Sequence, residues 1–198
     1  MTPDQIIAFA LFTIAAAGTP GPSNVLLTAT GANVGIARGL PALFGVTFGM
    51  GLMMFVVAFG LGGLIFDNPT ALAILKWIGI AFLLWLSWKI ATAERSNNTE
   101  NQKPVGFLAA GAFQWVNPKS RLVCAGAAGT YLDAGSGNAL IQALSLGGIF
   151  ILGSLPSCFP WLAFGAVMQR WLSSDKALRA FNISMGALLA ASLLLIVL

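Results

Sequence analysis

The stretch Gly18-Thr-Pro-Gly-Pro-Ser-Asn24 decides how this chain is read. It lies inside a run with no charged residue between Asp4 and Arg38. Proline has no N–H and crowds the carbonyl four residues earlier, so Pro20 and Pro22 break any helix laid through the run. They are expected to free the carbonyls of Ala16 and Gly18. Gly21 between them opens backbone conformations closed to other residues. A second break of the same kind, Gln114-Trp-Val-Asn-Pro-Lys119, sits in another apolar stretch, where Pro118 is expected to free the carbonyl of Gln114.

Outward from these breaks, the chain resolves into long apolar runs. Charges are also missing from Arg38 to Asp67, from Asp133 to Arg170, and after Arg179. A bilayer crossing takes about 20 mostly apolar residues per helix. Only 8% of the residues are charged, against roughly 25% in a soluble domain, too few to cover a water-facing surface. The reading is an all-α integral membrane protein, because spanning strands would alternate polar and apolar residues. Six spans are expected, at about 5–27, 39–66, 70–90, 105–132, 139–168 and 178–198. Turns fall at Asp67-Asn-Pro69 and Asp133-Ala-Gly-Ser-Gly-Asn138, and residues 94–103 form a polar loop. No basic n-region precedes the first run, so it does not read as a secretory signal peptide.

The spans group into one transporter domain over 1–198: repeat one at about 1–92, a cytoplasmic loop at about 93–104, and repeat two at about 105–198. Each repeat opens on a proline-broken span. Three spans per repeat force opposite orientations, and matched breaks in inverted repeats mark a substrate site at mid-membrane. Loop charges orient the whole. Arg38, Lys89, Arg95, Lys103, Arg170, Lys176 and Arg179 fall on one side, while the other carries Asp4, Asp67 and Asp133. Both termini are therefore expected outside the cytoplasm.

The candidate substrate-binding residues are Thr19, Pro20, Gly21, Pro22, Ser23 and Asn24 at the first break, with Gln114, Asn117, Pro118 and Lys119 at the second. A half-helix starting near Ser23 and Asn24 turns free N–H groups and a positive dipole end toward the break, which suits a carboxylate. Lys119 stands about fifteen residues into its span, near mid-bilayer at about 1.5 Å per residue. An ionisable group there reads as functional, either pairing with a substrate carboxylate or taking part in a proton step. The bland readings are a kinked packing helix for the breaks, and snorkelling or an ion pair for Lys119. Arg121, two residues on, faces another direction. Thr28 could add a neutral hydrogen bond, and Trp115 beside Asn117 a pocket wall.

Other motifs carry less. Gly45-Val-Thr-Phe-Gly49 permits close helix approach, within the chain or in a homodimer, with internal packing favoured. Cys124 and Cys158, inside apolar runs, read as small packing residues. The basic residues form no dense cluster, so no nucleic-acid partner is implied. The sequence has no histidine, which excludes HExxH and Ser-His chemistry. It also lacks a Walker loop. Neither an enzyme nor a metal or cofactor is expected.

With Leu75-Lys-Trp-Ile-Gly79, Trp85-Leu-Ser-Trp-Lys89, Val116-Asn-Pro-Lys119 and Arg179-Ala-Phe-Asn182, the first break resembles the lysine-exporter (LysE/RhtB) family of amino-acid efflux proteins over the whole chain. The stretch from Lys103-Pro-Val-Gly-Phe107 to Asn117 is similar to the cysteine and O-acetylserine exporter branch. The resemblance implies a six-helix efflux permease of the plasma (inner) membrane, exchanging an amino acid for protons across the lipid bilayer. A channel or a non-transporting scaffold is the alternative. The charge inventory adds a preference for small neutral amino acids, because a dibasic substrate would place a second cation near Lys119 with no buried acid to balance it.

Overall fold

The computed structural model describes residues 1–62, 68–93, 104–132, 138–172 and 174–194, leaving aside the side chains of residues 71 and 72. Among the described residues the chain is helical throughout, with α1 (Pro3–Gly18), α2 (Pro22–Val56), a π-helical turn (Val57–Leu61), α3 (Pro69–Ala91), α4 (Phe107–Val116), α5 (Pro118–Tyr131), α6 (Ala139–Trp171) and α7 (Asp175–Ala191). The expected turn residues at Asp67 and 133–137, and the loop at 94–103, lie outside the described residues.

The boundaries follow from local chemistry. Thr2 and Gln5 form a capping box at the start of α1, with Pro3 in the first turn where its missing N–H costs nothing. Asn138 and Ser174 cap α6 and α7 through side-chain oxygens. Asn68 accepts from the Thr70 N–H at 3.0 Å as α3 begins. Three helical stretches are long and apolar enough to cross a membrane: Pro22–Leu61, Ala73–Ala91 and Ala139–Trp171. Pro3–Gly18 and Phe107–Val116 are shorter apolar helices. Each lies beside one of the two proline breaks, which is why it is short.

α2 is not one straight rod. Gly35 has φ 75° and ψ −178°, a conformation essentially reserved for glycine, and there the chain doubles back. The packing along α6 shows the reversal. Residues 28 to 31 run with 161 to 166, whereas Gly39 returns to Leu162 and Gly51 reaches Ile151 and Gly147. The sequence reading ends the first span near residue 27, and the helix continues to the Gly35 turn.

Close contact depends on missing side chains. A Cβ on Gly165 would run into the Thr28 carbonyl and stand 3.0 Å from the Ala32 nitrogen, so α2 and α6 touch backbone to backbone. Gly45 and Gly49 lie against Phe107 and Gly111 of α4, so the GxxxG motif is used inside the chain. At the far end, Tyr131 closes α5 onto Phe9 of α1 (ring centroids 5.0 Å apart), and Phe150 of α6 flanks Phe9 at 6.2 Å. Large apolar side chains such as Trp77, Trp88, Leu108, Leu152 and Trp171 cover the outside, as expected where lipid replaces water.

At the end carrying the basic loops, Asn33 and Asn182 exchange side-chain amide bonds of 2.8 and 3.1 Å. Asn182 also donates to the Ala93 carbonyl at 2.8 Å. This pair ties the Gly35 turn, the end of α3 and α7 together.

Candidate functional site at the meeting of two helix breaks

Both proline motifs break helices where the sequence places them, and the breaks meet. α1 ends at Gly18 and α2 starts at Pro22, capped only by the backbone of Gly21. α4 ends at Val116 and α5 starts at Pro118, with Asn117 extended between them. Asn117 caps α5 by accepting from the Lys119 N–H at 3.1 Å. Two helix N-termini, each a positive dipole end, thus converge on one region.

Buried side chains stitch the breaks together. Ser23 Oγ donates to Gln114 Oε1 and accepts from Asn117 Nδ2, both at 2.9 Å. Ser120 Oγ donates to the same Gln114 oxygen at 2.9 Å, and Gln114 Nε2 donates to the Ala110 carbonyl at 3.0 Å. Gln114, Asn117 and Ser120 are 0 to 1% exposed, and every polar atom of this four-residue set has a partner. In a low-dielectric interior such completeness is what makes burial tolerable.

The carbonyls at the end of α1 form a second group. Asn24 Nδ2 donates to Ala17 (3.1 Å) and Thr19 (2.8 Å), and Trp161 Nε1 donates to Gly18 at 3.2 Å. Lys119 Nζ donates to the Thr19 carbonyl and, at 3.5 Å, to that of Pro20. The Gly18 carbonyl is free of its helical partner, as expected from Pro22. The Gln114 carbonyl likewise loses its helical partner to Pro118, but it accepts instead from the Asn117 N–H at 3.3 Å, because the last turn of α4 tightens.

Gly21 is needed for a different reason from the expected one. Its φ of −179° is ordinary extended backbone open to any residue. A Cβ there would instead lie 2.7 Å from Lys119 Cδ, so glycine clears the path of the lysine across the break.

Between the two groups lies a cavity of about 10 Å³, no larger than one water. Gly21, Ser23, Asn24, Asn117, Lys119 and Ser120 supply its polar and backbone wall, and Ala16, Ala17, Met50 and Cys158 the rest. Thr19, Pro20, Pro22, Gln114 and Pro118 stand behind the wall through their backbone or bonds to it. Thr28 lies elsewhere, donating to the Trp161 carbonyl at 3.2 Å. Trp115 does not face the cavity and lines an apolar groove of about 760 Å³ between α2, α4 and α6. Sequence reasoning missed Trp161, Ser120, Met50 and Cys158. Only Ser120, one residue past the second motif, carried a usable signal. Both cysteines are buried free thiols, and no group of side chains suited to a metal occurs among the described residues.

Comparison with known proteins shows the family. Residues 14–196 match the model of the LysE type translocator family. The chain is 32% identical over 174 residues to a cysteine/O-acetylserine efflux protein of Escherichia coli (strain K12), covering 86% of this chain and 87% of that one. Proteins of the same name from Salmonella typhimurium and Klebsiella pneumoniae are 35% and 37% identical over 119 residues. Those two matches span 60% of this chain and 61% of each relative. No solved structure matches the chain. A family model that covers both breaks and nearly all the helices between and after them makes the conclusion direct: this membrane protein belongs to the LysE family of translocators.

Proposed function

We propose that the chain exports small, mainly neutral amino acids or their derivatives in exchange for protons, binding them where the two helix breaks meet. The observation that carries the proposal is Ser23, which bridges Gln114 and Asn117 across the breaks at 2.9 Å on each side. It joins residues nearly a hundred positions apart into one polar centre inside an apolar protein.

The chemistry of that centre fits a zwitterion. The N-termini of α2 and α5 favour a carboxylate. The Thr19 and Pro20 carbonyls favour an ammonium group, and no Asp or Glu lines the cavity. A substrate with a second positive charge would lack a buried counter-charge and pay several kcal/mol. Relatives named for efflux of cysteine and O-acetylserine carry substrates of this small, uncharged-side-chain type. A cavity the size of one water admits no amino acid, so binding requires the two breaks to move apart.

On this reading the broken helices count as single crossings: α1 with the start of α2, and α4 with α5. Together with the second half of α2, α3, α6 and α7 they make six, arranged as two inverted repeats in one domain with both termini on the non-cytoplasmic face. The test is a competition assay in proteoliposomes loaded with labelled amino acids, with and without a pH gradient. Serine, cysteine or threonine should leave fastest and depend on the gradient. Preference for lysine would overturn the charge argument, and indifference to every amino acid would overturn the site.

A further inference from the structure

We propose that Lys119 is a built-in cation, one that occupies the carbonyls of Thr19 and Pro20 whenever the substrate's ammonium group does not, and that it carries the exchanged proton. The proposal rests on the site described under Proposed function and assigns the one role left open there.

Four observations support it. First, Nζ already donates to both carbonyls, and these acceptors belong to the break: the Asn24 and Val25 N–H groups turn to Gly21 O instead. Second, the side chain passes directly over Gly21, where a Cβ would stand 2.7 Å from its Cδ and push the stem aside. Third, no carboxylate lines the cavity, so an incoming ammonium has only neutral carbonyl, amide and hydroxyl oxygens to meet. Fourth, with the lysine laid across the break the remaining space holds no amino acid. An α-ammonium and the Lys119 ammonium are the same donor group. They compete for one cradle.

Two unpaired cations in so small a space repel strongly, so substrate binding requires the lysine to give up its proton. The groups facing it leave no other candidate. α1 presents Ala16 and Ala17, α2 presents Ser23, Asn24 and Met50, α6 presents the Cys158 thiol, α5 itself adds Ser120, and Asn117 caps it. Arg121 follows on α5 but does not line the cavity.

The cycle balances. With substrate bound, the Lys119 amine is neutral. Substrate leaves outward, the amine takes a proton from the outer solution, and the ammonium closes on Thr19 and Pro20. The empty carrier then returns, the next cytoplasmic substrate displaces the ammonium, and the proton enters the cytoplasm. One proton moves in for each amino acid moved out.

Exchange and net transport separate the proposal from simpler ones, because exchange never requires the empty carrier to return. The experiment uses the full chain in liposomes with the five labelled amino acids threonine, serine, cysteine, leucine and lysine, and a trapped pH dye. It measures one-for-one exchange at equal pH, then gradient-driven net flux with its proton movement. Lys119→Met should lose net flux and coupled proton movement by about 100-fold or more while exchange falls by no more than about 10-fold. Gly21→Ala, which displaces a lysine that is still present, should shift the same ratio in the same direction. Lys119→Arg, a cation that does not release its proton, should lose both activities. Equal loss of exchange and net flux in a Lys119→Met protein of unchanged melting temperature would overturn the proposal, as would coupled proton movement in Lys119→Arg. Failure of the wild-type chain to move any of the five would instead overturn the site itself.

Discussion

Replacing Gln114 with leucine probes the junction most sharply, because its Oε1 is the shared acceptor for Ser23 and Ser120. Leucine keeps most of the volume and leaves two buried hydroxyl donors to find new partners. A buried polar group without one costs about 1–3 kcal/mol. The two serines differ in what they can do next. Ser120 can turn onto the Asn117 carbonyl three residues back, as Ser154 does onto Ile151 at 3.2 Å. Ser23 sits in the first turn of α2, and the carbonyls three and four residues behind it, Pro20 and Thr19, already accept from Lys119. The expected loss is therefore about 2 kcal/mol, nearly all of it through Ser23. That exceeds the roughly 0.6 kcal/mol average for side-chain hydrogen bonds between membrane helices. Unfolding in mixed micelles by SDS titration, followed by tryptophan fluorescence, measures it. In a Ser23→Ala background the cost of Gln114→Leu should fall by at least about 1 kcal/mol, and in a Ser120→Ala background it should not change. A single-variant loss under about 0.5 kcal/mol, or equal costs in all three backgrounds, would refute the reasoning.

Two further outcomes follow from the packing and the charges. Gly165→Leu should destabilise the protein by about 2–3 kcal/mol or more by prising α2 from α6, whereas Gly126→Leu, where a Cβ would meet nothing within 4 Å, should stay within about 0.5 kcal/mol; the same SDS titration checks both. In a chain without Cys124 and Cys158, single cysteines at Thr2 and Asn138 should react with an impermeant maleimide from outside intact cells, and those at Thr92 and Ser174 should not. Reversal of that pattern would invert the topology.

The helices and their breaks were legible in the sequence because both signals are local. A charge-free run announces a helix in lipid, and proline removes a donor whatever surrounds it. The meeting of the two breaks was legible only as symmetry: matched prolines in two triplets suggested one site before any contact was known. What stayed hidden depends on which groups come together in space. Trp161 looks in sequence like any membrane tryptophan, yet its N–H holds the Gly18 carbonyl. Gly21 looked like a conformational hinge and proved to be a gap for the Lys119 stem. The Gly35 reversal falls inside the connection the sequence reading places between residues 27 and 39, but nothing local shows that the helix runs on past residue 27 to reach it. Trp115 does form a pocket wall, but of the apolar groove between α2, α4 and α6 and not of the junction cavity, because its place on α4 faces it that way.

The central claim, that substrate binds where the breaks meet, can be read through Cys158. Its thiol lines the junction cavity and lies 3.9 Å from Asn24 Oδ1. In a Cys124→Ala protein it is the sole thiol. The measurement is the rate at which a small methanethiosulfonate modifies Cys158 in proteoliposomes as amino acid is added. A transported neutral amino acid should slow the reaction, with half-protection at the concentration that half-saturates its transport, and lysine should protect far less. A modification rate unchanged by an amino acid that the same vesicles export would place the substrate elsewhere and contradict the account.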